Sequence, residues 1–197
     1  MNDSYKKPVL KSLYFNQDVD KIPSLKGKTI AITGTTSGTG YVAAKVVAKK
    51  GATTILINRK SDRSKKIYEL LTKKYPQTDI LNVECDLQSF SSVRSAAQII
   101  LKELKSGLDV LCNNAGVMAL KDQATADGFD IQMQINHLSH FLLTKELMPI
   151  LKIAAAKNHE ARIINHSSIA RFGVKKLELS VSTVWTSKIP PVVPSVN

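Results

Sequence analysis

Thr29 to Gly40 reads TIAITGTTSGTG, and this stretch decides the fold. The apolar run Ile30, Ala31, Ile32 leads into Thr33-Gly34, then Thr35, Thr36, Ser37, Gly38, Thr39 and Gly40, with a helical pattern starting near Tyr41. The reading is strand, glycine-rich turn, helix. Such a turn brings bare backbone N–H groups and the positive end of a helix against one spot, which suits a phosphate. Gly34 permits a tight turn, while Gly38 and Gly40 allow close approach of backbone to a ligand and of helix to strand. No Gly-Lys-Ser/Thr follows, so the turn is not a P-loop, and the glycines fall as G-x-x-x-G-x-G rather than G-x-G-x-x-G.

Outward from this turn, strands and helices alternate. Tyr41 to Lys50 is expected as a helix with Val42, Ala43, Val46 and Val47 on one face and Gly51 as its stop. Thr53 to Asn58 (TTILIN) is a β-branched strand followed by Arg59. Ser61 or Asp62 can cap a helix running to about Tyr75, with Ile67, Leu70 and Leu71 as its apolar face. Ile80 to Cys85 is a third strand, Ser91 to Lys105 a helix, and Leu108 to Cys112 a fourth strand. A long helix is expected over about Phe129 to Lys152, with Ile131, Ile135, Leu138, Leu142 and Leu143 buried and Pro149 disturbing its last turns. Arg162 to Ser167 is the fifth strand and takes in His166. Alternation of this kind implies a Rossmann-type α/β fold, a doubly wound parallel sheet that stops after its fifth strand. Residues 1–27 read as an N-terminal extension and 28–171 as the nucleotide-binding domain. From 172 to 197 the pattern is lost, and Pro190, Pro191 and Pro194 exclude a helix.

The 197 residues carry a formal net charge of +12. Its densest part, Arg59 to Lys74, reads as a solvated helix face without interleaved aromatics, so no specific nucleic-acid partner is expected. No apolar run reaches the roughly 18 residues of a membrane span. No secretory h-region opens the chain, and cytoplasm is the default location. Cys85 and Cys112 end apolar runs and read as buried free thiols. His137 and His140, three apart on the long helix, have a metal-ligand spacing but no acidic or cysteine companions, so no metal site is expected.

In an open parallel sheet, ligands bind beyond the carboxyl ends of the strands where the strand order reverses. After strand two, the position that would hold an acid for a ribose 2′-hydroxyl is Asn58, followed by Arg59, which can pair with a 2′-phosphate; this favours NADP over NAD. After strand three, Asp86 can accept from an adenine amine and Leu87 can offer a backbone N–H, or Asp86 can simply cap its turn. After strand four come Asn113 and Asn114, whose amides can bridge strands, then Ala115 and Gly116, small enough for backbone to pass close to a ribose.

Together TGTTSGTG (33–40), CDL (85–87), NNAG (113–116), QINHLSH (134–140) and IINHSSIA (163–170) resemble the short-chain dehydrogenase/reductases over about residues 27–171. The wording is most similar to the retinol dehydrogenase and light-dependent protochlorophyllide reductase branch. The resemblance implies NADP(H) binding and hydride transfer to or from a hydrophobic carbonyl or alcohol. It assigns Gly34, Ser37, Gly38 and Gly40 to the pyrophosphate loop and Asn114, Ala115 and Gly116 to the strand-four motif. Asn136 takes the place of the asparagine that kinks its helix and holds a relay water. Ser168 takes that of the serine bonded to the substrate oxygen. The family's acid/base is a tyrosine four residues before a lysine, and this sequence has no tyrosine after Tyr75. The expectation is a chain of oxidoreductase lineage that has lost its proton donor. Alternatives are a non-catalytic NADP(H)- or partner-binding protein, pairing or aggregating through an exposed sheet edge, an inactive truncated product, and a basic polyanion binder.

Overall fold

The computed structural model describes residues 14–169. The expectations for residues 1–13 and for the tail 172–197 lie outside them. Five parallel strands, β1 (Thr29–Thr33), β2 (Thr53–Asn58), β3 (Ile80–Glu84), β4 (Val110–Asn113) and β5 (Arg162–Asn165), form one sheet in the order β3-β2-β1-β4-β5. β1 is central: Ile30 pairs with Thr54 on one side and Val110 on the other. All five of its residues are buried, which explains its continuous apolar run in place of an alternating one.

Side chains divide the core by parity. Ile30, Ile32 and Leu56 point to one face, packed with Ala44 and Ala48 of α2 (Gly38–Lys49) and Leu71 of α3 (Asp62–Lys74). Ala31, Ile55 and Ile57 point to the other face. There they meet Val93, Ala97 and Ile100 of α4 (Phe90–Glu103) and Leu143 and Leu147 of the long C-terminal helix. Helices on both faces make the sheet doubly wound. Residues 14–27 contain a short helix, α1 (Phe15–Lys21), and Leu25, whose N–H donates to Lys50 O at 2.9 Å and so ties this segment to the end of α2.

Several details differ from the sequence expectation. α2 starts at Gly38, not Tyr41, because its first turn is spent on the glycine loop rather than on the core. Its buried stripe is Gly40, Ala44 and Ala48 with Val46, whereas Val42 is exposed. Small residues at four-residue spacing let the helix lie close on the sheet, so the larger Val42 turns outward. On α3, Leu71 is buried but Leu70 is exposed.

The long helix has three parts: α5 (Ile131–Met133), a π-helical turn (Gln134–Leu138) and α6 (Ser139–Asn158). Pro149 does not end it. Proline forfeits one helical hydrogen bond, but Pro149 lies on the exposed side while Ile150, Leu151 and Ala154 beyond it are buried. β5 ends at Asn165, so His166 lies past the strand.

Candidate functional site: a cleft at the sheet's switch point

The strand order reverses between β1 and β4, and a cleft of about 430 Å³ opens at the carboxyl ends of β1 to β4. Gly34 and Thr36 line it after β1. Ile57, Asn58, Arg59, Ser61 and Arg63 line it after β2; Cys85, Asp86, Leu87 and Gln88 after β3; Ala115, Gly116 and Val117 after β4. Ile135 of the π-helical turn closes the remaining side.

The glycine loop is set by contacts from behind. Gly34 has φ +73°, and a Cβ there would stand 2.9 Å from Ala115 Cα. A Cβ on Gly40 would collide with the Gly34 carbonyl and the Asn114 amide. Ser37 precedes α2, yet its side chain makes no capping bond. In α3, α4 and α5, by contrast, Ser61, Ser89 and Asp130 each accept from a first-turn N–H. The first-turn donors of α2 are therefore not engaged by their own cap. That is what a phosphate-binding helix end requires.

Asn58 lines the cleft after β2, and its amide is engaged on the glycine loop. Its Oδ1 accepts from Thr35 N and its Nδ2 donates to Thr35 Oγ1, both at 2.8 Å, so this buried amide braces the glycine loop from within. Thr35 is fully buried and belongs to the loop's support. Arg59 and Arg63 are the cationic side chains on this wall. Sequence reading missed Arg63 by placing it on a solvated face. The cap at Ser61 sets the helix phase, and the first turn of α3 then faces the cleft.

On the β3 wall, Asp86 Oδ1 accepts from Gln88 N at 3.0 Å, as a turn cap does. Leu87 is held by Ser139 Oγ, which donates to its carbonyl at 2.6 Å. Cys85 lines the cleft with its thiol pKa pushed up to about 12 by burial and then by the Asp86 charge; it is inert apolar surface. Cys112, half-buried rather than buried, is also free, and burial raises its pKa.

After β4, residues 114–117 form a strap across the cleft. Thr39 Oγ1 donates to Asn114 Oδ1 at 3.0 Å, Asn114 Nδ2 donates to Thr33 O at 2.9 Å, and His166 Nδ1 meets Asn114 Oδ1 at 2.9 Å. Asn113 Nδ2 donates to Asn165 Oδ1 at 2.9 Å and to Thr144 Oγ1 at 3.1 Å, bridging β4 to β5 and α6. Asn136 lies within the π-helical turn. Its Oδ1 accepts from Val117 N and its Nδ2 donates to Val117 O, both at 2.8 Å. Ser168 is exposed, three residues past β5, and is not part of the cleft lining.

His140 is buried under this strap, facing the Thr33 hydroxyl, with the Asn136 carbonyl beside it. Burial lowers its pKa most. The Asn136 carbonyl pulls the other way, and His137, one turn earlier, lowers it further. A folded-state pKa below that of the unfolded chain means protonation favours unfolding. The stability is present above about pH 6.5 and is lost as the pH falls through the folded value. The expected result is a Tm that drops between about pH 7 and pH 5 in the wild-type chain and drops less in His140→Gln.

An open parallel sheet with a glycine loop at its switch point defines a dinucleotide-binding α/β protein. A short-chain dehydrogenase family model matches residues 28–179. Over 155 residues the chain is 39% identical to short-chain dehydrogenase TIC 32 A, chloroplastic, of Brassica napus, covering 78% of this chain and 48% of that protein. Over 146 residues it is 38% identical to human retinol dehydrogenase 11, covering 74% and 44%. Among solved structures, the Pseudomonas aeruginosa RhlG/NADP active-site complex superposes with a TM-score of 0.63 at 32% identity, covering 75% of this chain and 57% of that one. The chain belongs to the short-chain dehydrogenase family, whose members are NAD(P)-dependent oxidoreductases. It spans about half the length of the curated relatives it matches. Among the described residues no helix is long and apolar enough to cross a membrane, and no His/Cys/Asp/Glu group could hold a metal ion.

Proposed function

We propose that this chain binds NADP(H) in the switch-point cleft, as the cofactor half of an oxidoreductase acting on a hydrophobic carbonyl or alcohol. The observation that carries this reading is the cleft wall after β2. With Asn58 turned inward to Thr35, no carboxylate lines the wall after β2, and Arg59 and Arg63 do. A 2′-phosphate would meet two guanidinium groups there, and a bidentate Arg–phosphate pair is the strong kind of charge-assisted bond. The glycine loop and the first turn of α2 would hold the pyrophosphate. Asp86, Leu87 and the apolar Cys85 and Ile57 would hold the adenine end. The nicotinamide end would lie along Ala115, Gly116 and Val117. Bound there, the dinucleotide supplies the hydride donor or acceptor.

The chain's own groups orient that dinucleotide, and Ser168 and Asn136 are the family positions for the substrate oxygen and the relay water. In these 197 residues no tyrosine follows Tyr75 to protonate that oxygen. General acid–base help is worth roughly 10²–10⁴-fold. Turnover by this chain alone is therefore expected to be slower than that of a family member carrying the tyrosine–lysine pair by about that factor.

Fluorescence titration with NADPH and NADH tests the binding. NADPH should bind more tightly, and Arg59→Ala should weaken NADPH by roughly tenfold, the scale of one charge-assisted bond, while leaving NADH unchanged. Equal affinity for the two, or equal loss of both in the variant, would overturn the NADP assignment. A second reading, partner binding, is favoured by β5, whose four residues are all exposed and which is the edge strand of the sheet among the described residues. Self-association that rises with concentration in sedimentation and is blocked by a charge at Ile164 would support it.

A further inference from the structure

The Thr33 hydroxyl sits fully buried at the end of β1 and serves three partners at once. Its Oγ1 accepts from Asn114 N and from Ala115 N, both at 2.9 Å. A hydroxyl has two lone pairs and one proton. With both lone pairs taken by backbone N–H groups, the proton has to be given away. His140 Nε2 stands 2.9 Å off and Cys112 O stands 3.5 Å off, so the imidazole is the better acceptor. That fixes the ring: Nε2 is bare, and Nδ1 carries the hydrogen toward Asn136 O at 3.3 Å.

We propose that His140 is a positioning residue: by taking the Thr33 proton it holds both lone pairs of Thr33 on the Asn114 and Ala115 amides, and so sets the spacing between the two walls of the cleft. The near wall is Gly34, directly against Ala115, where added volume has no room. The far wall is the strap 114–117. Its beginning is pinned through Thr33 to His140, and its end is pinned at Val117 by Asn136, one helical turn away from His140. One helical segment thus grips the strap at both ends. A ring turned to the other tautomer would oppose an N–H to Thr33 Oγ1, pull one lone pair from the strap, and leave a half-buried amide of Asn114 or Ala115 without its acceptor. The link to cofactor affinity rests on the reading that this cleft binds a dinucleotide; the tautomer and the strap contacts do not.

The test has an arm for each part. Nitrogen-15 NMR of the histidine-labelled chain, with the His140 signals assigned by their loss in His140→Gln, should show a neutral ring protonated on Nδ1. A ring protonated on Nε2 overturns the proposal. In His140→Leu, hydrogen exchange at the Asn114 and Ala115 amides should accelerate by roughly tenfold or more, while amides within β1 stay protected. Uniform acceleration would mark a merely structural core histidine and overturn it.

NADPH affinity should fall by about tenfold in His140→Leu and in Thr33→Val, and the double variant should be no weaker than either alone, as expected of residues acting through one bond. His140→Gln, whose side-chain oxygen can accept the Thr33 proton, should stay within about threefold of wild type. If His140→Leu does not fold, Thr33→Val and the wild-type spectrum decide. If the wild-type chain binds no NADPH while tautomer and protection are as stated, the proposed function falls and the positioning role stands. If it binds and the variants bind equally well, the positioning role falls.

Discussion

Gly34→Ala is expected to cost about 2–5 kcal/mol of folding stability and to abolish dinucleotide binding in whatever fraction still folds. Two penalties act at this position. With φ at +73°, an L-residue pays about 1–2 kcal/mol for the left-handed backbone. The added methyl would also stand 2.9 Å from both Ala115 Cα and Ala115 Cβ, and forced overpacking adds about 1–3 kcal/mol. Relief by moving the strap would widen the cleft and tear the Thr33 bonds to Asn114 and Ala115. Gly38→Ala is the control. Its φ is +57°, but nothing lies within 4 Å of the added methyl, so only the backbone penalty is expected. Urea unfolding of the two variants separates packing from conformation. Equal losses would show that Ala115 yields freely.

Asp109→Ala is expected to lower stability by about 2–4 kcal/mol without altering the cleft. This buried carboxylate joins three elements at the amino end of the sheet. Its Oδ2 accepts from Thr29 N at 2.8 Å, and its Oδ1 accepts from Asn158 Nδ2 at 2.7 Å and Lys28 Nζ at 3.1 Å. Its own backbone N–H and carbonyl continue the sheet to Thr29 and Arg162. Truncation strands a buried Thr29 N–H and an amide at the end of α6, each worth about 1–3 kcal/mol when left unmet. The Lys28 ion pair contributes little, because its ammonium side chain is 37% exposed; Lys28→Met should cost under about 1 kcal/mol. Dinucleotide affinity measured well below the Tm should stay at the wild-type value, since this anchor and the cleft lie at opposite ends of the strands. A variant that folds fully but loses affinity would contradict that separation.

The parts of this architecture that can be read from the chain are those written in short stretches. β1, its glycine turn and α2 follow one another within about twenty residues, and the strand–helix alternation follows from apolar spacing alone. The cleft walls were found in outline because each follows a strand end. What sequence could not give was how those walls are held. Asn58 looks like a ribose contact until Thr35, 23 positions back, takes its amide. Thr33 and His140, separated by 107 positions, are unremarkable until the fold brings them together. The irregular turn at Asn136 falls where the QINHLSH motif implies a kinked helix, but its two bonds to Val117, 19 positions back, leave no local mark. Pro149 reads as disturbing the last turns of a helix ending near Lys152, but α6 runs on to Asn158, with Ile150, Leu151 and Ala154 buried beyond the proline.

The strand order also separates the two walls of the cleft along the chain. β1, α2, β2, α3 and β3 are neighbours in space in the order in which they occur in the chain. The next crossover then returns past β2 so that β4 docks on the vacant edge of β1. The strap that finishes the cleft follows β4, so a half-built sheet offers the glycine loop but no opposite wall. A ligand needing both walls meets a grip only once that return has been made. Its binding energy is then absent from the barrier to folding and present in the barrier to unfolding, so it lengthens the life of the native state without hastening its arrival.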